Sequence, residues 1–191
     1  DIAFPLLNIR TGVTERVELS VFSRGWSMFS GSKDSSNTAY FNDLSVGGKI
    51  GLVQTGVYSV SLLVQVSVPA GHKRVTSSSW NPVLGMLWEK PAGKRLGFFG
   101  TVQVYSFKQG SERSIELQPA AGAAYQVFEN FSLFAEYYGL FPLEKGMNTQ
   151  HDIDGGVTWN PSAAVQFDVN GGISLTGSQE WFIGTGAAFR L

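Results

Sequence analysis

The chain has 191 residues, no Cys, 23 Gly, 15% charged and 13% aromatic residues, and a formal net charge of −1. That length suits one domain, the near-neutral charge leaves no electrostatic footprint for nucleic acid, and the missing Cys exclude disulfides, thiolate metal sites and a cysteine nucleophile. The longest apolar runs are broken every few positions by Ser, Gln, Gly or Thr, so none reaches the roughly 18 residues of a membrane helix. The chain opens at Asp1 without a basic, apolar and small-residue series, so no signal peptide is visible.

Alternation with period two recurs along the chain, in eleven segments: 3–12, 16–29, 43–54, 57–69, 81–90, 95–108, 115–128, 131–142, 151–160, 163–174 and 181–191. In the fourth, Tyr58, Val60, Leu62, Val64, Val66 and Val68 oppose Ser59, Ser61, Leu63, Gln65 and Ser67. In the eighth, Phe131, Leu133, Ala135 and Tyr137 oppose Ser132, Phe134, Glu136 and Tyr138. In the tenth, Val165, Phe167, Val169 and Ile173 oppose Gln166, Asp168, Asn170 and Gly172. Each segment predicts a strand with one apolar and one polar face.

The links between segments alternate in length. Tight ones at 14–15, 55–56, 91–94, 129–130 and 161–162 take turns with polar ones at 30–42, 70–79, 109–114, 143–150 and 176–180. Short turns at one end and long loops at the other characterise a transmembrane β-barrel. Aromatics mark both ends: Trp26, Phe29, Tyr40, Phe41, Trp80, Phe107, Phe141, Trp181 and Phe182 beside the long links, and Tyr58, Trp88, Phe128, Phe131, Trp159 and Phe189 beside the short ones. They predict two interfacial girdles. Segments of about ten to fourteen residues cross the hydrocarbon layer at a tilt, whereas soluble strands average five or six. A lipocalin would have its apolar face inside, and periodicity alone does not tell inside from outside. The polar phase is rich in Gly, Ser, Ala and Gln and poor in Lys, which fits a lumen better than a soluble exterior.

Charges fall on that polar phase. Arg10, Arg16, Glu18 and Arg24 share it across the first hairpin, with Lys49, Arg95 and Arg190 from other strands. Glu89, Glu116, Glu136, Asp152, Asp154 and Asp168 join from later ones. A charge facing lipid costs roughly 2 to 4 kcal/mol near the midplane, so these predict a charged lumen. Two readings stay open: a constriction that selects permeants, and a salt-bridge network that fills and stiffens the barrel. The aromatics Phe99, Tyr105, Phe134 and Tyr138 on the same phase suit either an aromatic permeant or plain filling. Gly155, Gly156, Gly171, Gly172, Gly184 and Gly186 let neighbouring strands curl, and no Gly-rich turn leads into a helix, so no nucleotide cradle is expected. His151 falls on the opposite face from Asp152 and Asp154, and His72 lies in a Gly- and Lys-flanked link where a solvated side chain is expected. Neither predicts an enzyme, and no catalytic residue, metal or cofactor is expected.

Two blocks carry a family resemblance. One is Asn8-Ile9-Arg10-Thr11-Gly12-Val13-Thr14-Glu15-Arg16-Val17-Glu18-Leu19, similar to an Arg-x-Gly-Leu-Thr-Asp-Arg-x-Glu-Leu hairpin. The other runs from Gln150-His151-Asp152-Ile153-Asp154-Gly155-Gly156 through Val165-Gln166-Phe167-Asp168 to Trp181-Phe182-Ile183 and Ala187-Ala188-Phe189-Arg190-Leu191. The chain resembles the bacterial outer-membrane "MetA pathway of phenol degradation" transporters, strongly at both ends and weakly over 30–108. Members usually end in an aromatic residue, whereas this chain ends in Leu191 with Phe189 two positions earlier. Single-chain bacterial barrels have an even strand number, so eleven segments predict one further strand upstream and an all-β, antiparallel transmembrane barrel of about twelve strands. Residues 1–191 are then a single barrel domain lacking an N-terminal strand.

The resemblance implies a Gram-negative outer-membrane location, with long loops extracellular. It also implies a passive, porin-like channel for small molecules, aromatic or hydrophobic ones among them. No nucleotide motif or plug domain supplies an energy source. The alternative is a structural or accessory barrel, closed by its salt bridges, that acts with other membrane proteins. Outer-membrane lipid and a small-molecule permeant are the expected partners, with other outer-membrane proteins on the second reading.

Overall fold

The computed structural model describes residues 2–29, 38–109, 112–144, 146–176 and 180–190. Asp1, Leu191, residue 145 and parts of three other long links (30–37, 110–111 and 177–179) lie outside them. The described residues form fourteen strands: β1 (Ile2–Phe4), β2 (Leu7–Gly12), β3 (Val17–Ser23), β4 (Trp26–Met28), β5 (Ala39–Phe41), β6 (Leu44–Gln54), β7 (Ser59–Val68), β8 (Asn81–Ala92), β9 (Leu96–Gln109), β10 (Glu112–Phe128), β11 (Phe131–Pro142), β12 (Gln150–Ser162), β13 (Val165–Ser174) and β14 (Trp181–Phe189). No helix among them is long and apolar enough to cross a membrane. The large sheet follows the chain, β2-β3-β6-β7-β8-β9-β10-β11-β12-β13-β14, and a small sheet has the order β1-β4-β5.

Eleven segments become fourteen strands because the first two break and a short strand forms in the first long link. Pro5 has no N–H to donate to a ladder, and it separates β1 from β2. Gly25, at φ +62°, separates β3 from β4, and a Cβ there would collide with the carbonyls of Phe4 and Pro5. Asn42 holds the break: its Nδ2 donates to the Gly25 carbonyl at 3.0 Å and to Ser27 Oγ at 2.9 Å. β5 lies within the 30–42 link, where three residues are too few for alternation to register.

The chain divides into two compact units. In the first (Asp1–Leu52, Ser61–Gly85 and Val104–Ile115) β2 pairs with β3 from Leu7↔Ser23 to Gly12↔Glu18, and β3 with β6 from Val17↔Ile50 to Ser23↔Leu44. Thr14 shapes the β2–β3 turn, its Oγ1 accepting from the amides of Arg16 and Val17. This register gathers Ile9, Leu19, Val21 and Val46 on one face and Arg10, Glu18, Ser20 and Lys49 on the other.

In the second unit (Val53–Val60, Met86–Gln103 and Glu116–Leu191) β10 to β14 form a continuous antiparallel ladder. Its polar face is built in rows. Gly122, Glu136, Asp154 and Gly172 make one, and Ala120, Tyr138, Asp152 and Ser174 the next. The turn after β12 falls at 163–164, two residues beyond the expected 161–162.

Burial is inverted relative to a soluble protein. No hydrophobic residue among the described ones is buried; the buried side chains are Ser23, Asn81, Ser114 and Asp152. Leu84, Ile173 and Ile183 are 54%, 51% and 72% exposed. Water-soluble domains bury such side chains first.

Candidate functional site: the charged polar face

In the first unit Arg10, Glu18 and Lys49 come together. Arg10 Nη1 lies 4.0 Å and Lys49 Nζ 3.8 Å from the same oxygen, Glu18 Oε1. The register explains the cluster: Lys49 is directly opposite Glu18, and Arg10 is diagonal to it through Ser20. Arg16 is not on a strand but exposed in the turn before β3, and Arg24 is exposed at the β3–β4 break. Neither joins the cluster.

In the second unit the polar face carries carboxylates. Glu136 and Asp154 are directly opposite each other and line a cavity of about 360 Å³ with Gln103, Gln118 and Tyr138. Asp152 is 3% exposed, and Gln150 Nε2 donates to its two oxygens at 3.1 and 2.9 Å. Gln118 Nε2 donates to Glu116 Oε1 at 2.7 Å. Asp168 occupies the space beside Gly186, where a Cβ would stand 2.5 Å from Asp168 Oδ2. Arg190 follows β14, its amide donating to the Ala164 carbonyl at 2.8 Å, so its backbone lies by the β12–β13 turn. Arg95 likewise stands at the β8–β9 turn, its carbonyl accepting from Gln126 N.

Aromatic rings cover glycines on this face. A Cβ on Gly122 would meet Phe99 Cζ at 2.6 Å, and one on Gly172 would meet a ring carbon of Phe182 at 2.5 Å. A Cβ on Gly156 would stand 2.9 Å from Phe134. Tyr105, in the first unit, stacks on Phe107 at 5.4 Å.

The histidines stand away from the acids. Tyr137 Oη and His151 Nδ1 are 2.7 Å apart, and the Phe141 and His151 rings stand nearly perpendicular with centroids 5.3 Å apart. Tyr137 pairs with Ile153 on the apolar face. His72 is exposed yet engaged, its ring stacked on Tyr40 at 4.7 Å.

Two polar residues escaped sequence reasoning. Asp43 accepts from Gly71 N, Ser77 N and Ser77 Oγ at 2.9, 2.8 and 2.8 Å. Arg113 donates to Ser79 Oγ and to the Trp80 carbonyl at 3.1 and 2.9 Å. Asp43 carries no sequence signal, since an Asp as the first residue of a predicted strand reads as solvated. Arg113 falls in the 109–114 link for the same reason.

No curated protein sequence matches the chain. Solved structures similar to it include the outer membrane channel DcaP of Acinetobacter baumannii (TM-score 0.46, 13% identity, 96% of this chain) and an anion-selective porin from Comamonas acidovorans (0.49, 14%, 98%). The chain spans 60% and 56% of their respective lengths. The model of the family described as "Putative MetA-pathway of phenol degradation" matches residues 7–191, covering both terminal blocks, and the chain belongs to that family.

Proposed function

We propose that the chain is the wall of a bacterial outer-membrane β-barrel that passes small molecules passively, aromatic or hydrophobic ones among them. The observation that carries this reading is the inverted burial: large apolar side chains are exposed and the buried side chains are polar. Lipid makes such a surface favourable, and it tolerates no unpaired strand edge, so the sheet must close. An antiparallel meander of eleven strands begins and ends in the same direction. Closure without a parallel pair therefore takes one further strand, giving about twelve, with the long loops outside.

The lumen of that barrel is the polar face. Its charged lining is Arg10, Glu18 and Lys49 in the first unit and Glu116, Glu136, Asp152, Asp154 and Asp168 in the second, with Arg16, Arg24 and Arg190 at strand ends. Its permeant passes without covalent chemistry or a cofactor. The ion pairs of Glu18 with Arg10 and Lys49 favour a second reading, in which the charges brace a closed lumen and the barrel acts with other membrane proteins.

Single-channel conductance of the full-length protein in a planar bilayer separates the two. The channel reading expects steady ohmic steps whose ion selectivity moves with Glu136→Lys and with Lys49→Glu. A silent bilayer, with folding verified by heat-modifiable gel mobility, overturns it in favour of the braced barrel.

A further inference from the structure

The link between β7 and β8 is attached to its surroundings at several points from Gly71 to Trp80. Beside Asp43, Gly71 is so close that a Cβ would stand 2.8 Å from Asn42 C and from Asp43 N. His72 N donates to the Phe41 carbonyl at 2.8 Å, and Arg74 Nη1 donates to Tyr40 Oη at 2.6 Å. At the far end Arg113 joins Ser79 and Trp80 to Ser106, donating to Ser106 Oγ at 3.2 Å. Within the link, the amides of Val75 and Thr76 donate to the His72 carbonyl. Ser78, at φ +52°, is held by its amide donating to Thr76 Oγ1 at 3.0 Å.

The side on which this link lies follows from the strand phase. Lys49, Gly47 and Ser45 alternate on the polar face of β6, opposite Glu18, Ser20 and Phe22. Asp43 continues that series because the pairing runs on past Ser23↔Leu44, Asn42 N donating to the Gly25 carbonyl at 2.9 Å. A carboxylate on the polar phase that binds Gly71 and Ser77 draws the link over the polar side.

We propose that residues 69–80 are a strap folded over the polar side of β6, fixed by Asp43 and Arg113, that narrows the loop-side entrance of the channel. The inference rests on the channel reading above. It assigns a positioning role to Asp43: the residue contacts no permeant but holds the segment that limits entry.

Lys73 and Arg74 are the strap's only trypsin sites, so its attachment is readable apart from conduction. The test compares the full-length protein with Asp43→Ala and the milder Ser77→Ala, by limited trypsin digestion in micelles and by single-channel recording. Losing the Asp43 anchor is expected to speed cleavage at Lys73 and Arg74 about tenfold, since digestion of a local opening follows its population. The same variant is expected to give larger conductance steps, with Ser77→Ala intermediate in both. Cleavage no faster than in the parent for both variants overturns the strap. Faster cleavage with unchanged steps in a conducting protein overturns the entrance role alone. Faster cleavage with every protein silent overturns the channel reading and the entrance role with it, leaving the attachment.

Discussion

Glu136 and Asp154 stand directly across from each other on β11 and β12, in a row whose outer members, Gly122 and Gly172, have no side chains to shield them. Among the described residues neither carboxylate has an ion pair, and Asp154 Oδ1 is buried without a hydrogen-bond partner. Like charges directly opposite in a sheet are unfavourable, so this pair does not brace the wall. Glu136→Gln is therefore expected to raise the unfolding free energy by roughly 0.2 to 1 kcal/mol, read from a urea titration in micelles. In bilayers it is expected to lower the preference for cations over anions. Lower stability in Glu136→Gln would mean that the carboxylate is held by a partner, and would return the second unit to the braced-lumen reading.

The apolar face makes a sharper demand. Leu84 is 54% exposed and lines an apolar hollow of about 990 Å³ with Leu19, Val21, Val46 and Val64. If lipid covers this face, Leu84→Arg costs about 2 to 4 kcal/mol near the midplane. On a water-facing surface the same change stays within about 0.5 kcal/mol. Refolding of both proteins into vesicles across a denaturant series measures the difference, and equal stabilities would remove lipid from the apolar face.

Where period two carries the information, the sequence was legible. It put Glu136 and Asp154 on one face and His151 on the other, and the register agrees. It also put Glu18 and Lys49 on one face, where they pair. It extended that phase too far for Arg16, because a turn has no alternating faces. The breaks at Pro5 and Gly25 were missed for a related reason: the alternation runs through both residues, and the interruption comes from a missing donor and a close backbone approach. Asp43 was out of reach altogether. Its partners Gly71 and Ser77 are 28 and 34 residues away, and no local pattern encodes a contact between the start of a strand and a distant link.

Asp43 also gives the protein a pH dependence outside the strands of the large sheet. Burial pushes its carboxyl up, but hydrogen bonds from the Ser77 amide, the Thr76 side chain, the Gly71 amide and the Ser77 hydroxyl outweigh this, leaving it below the ordinary 3.8. A depressed carboxyl contributes stability that is fully present above its unfolded value and lost as pH falls through the folded one. The strap's His72 and Arg74 lie against Tyr40 rather than on this carboxylate. Hydrogen exchange over 69–80, corrected for intrinsic rates, is expected to stay slow from pH 7 to 5 and to quicken only below pH 3.8. Asp43→Ala is expected to exchange quickly throughout. Quickening in the parent between pH 7 and 5 would place control in a different group.

Gly122 tests whether the aromatic lining is packed or loose, because the two cases predict opposite signs. Replacing a strand Gly by Ala in open space stabilises by about 0.4 to 1 kcal/mol through the unfolded chain. Here a Cβ would stand 2.6 Å from Phe99 Cζ and 2.7 Å from the Ala135 carbonyl oxygen, and the second of these is backbone that a rotamer change does not relieve. Overpacking of that kind costs about 1 to 3 kcal/mol, so Gly122→Ala is expected to destabilise. Phe99 supplies one of the two contacts, so the cost of Gly122→Ala measured in a Phe99→Ala background should shrink without vanishing. A cost unchanged by Phe99→Ala would assign the whole clash to the β11 backbone and leave the ring free to move on the polar face. A stabilising Gly122→Ala would mean that neither contact persists in the folded protein.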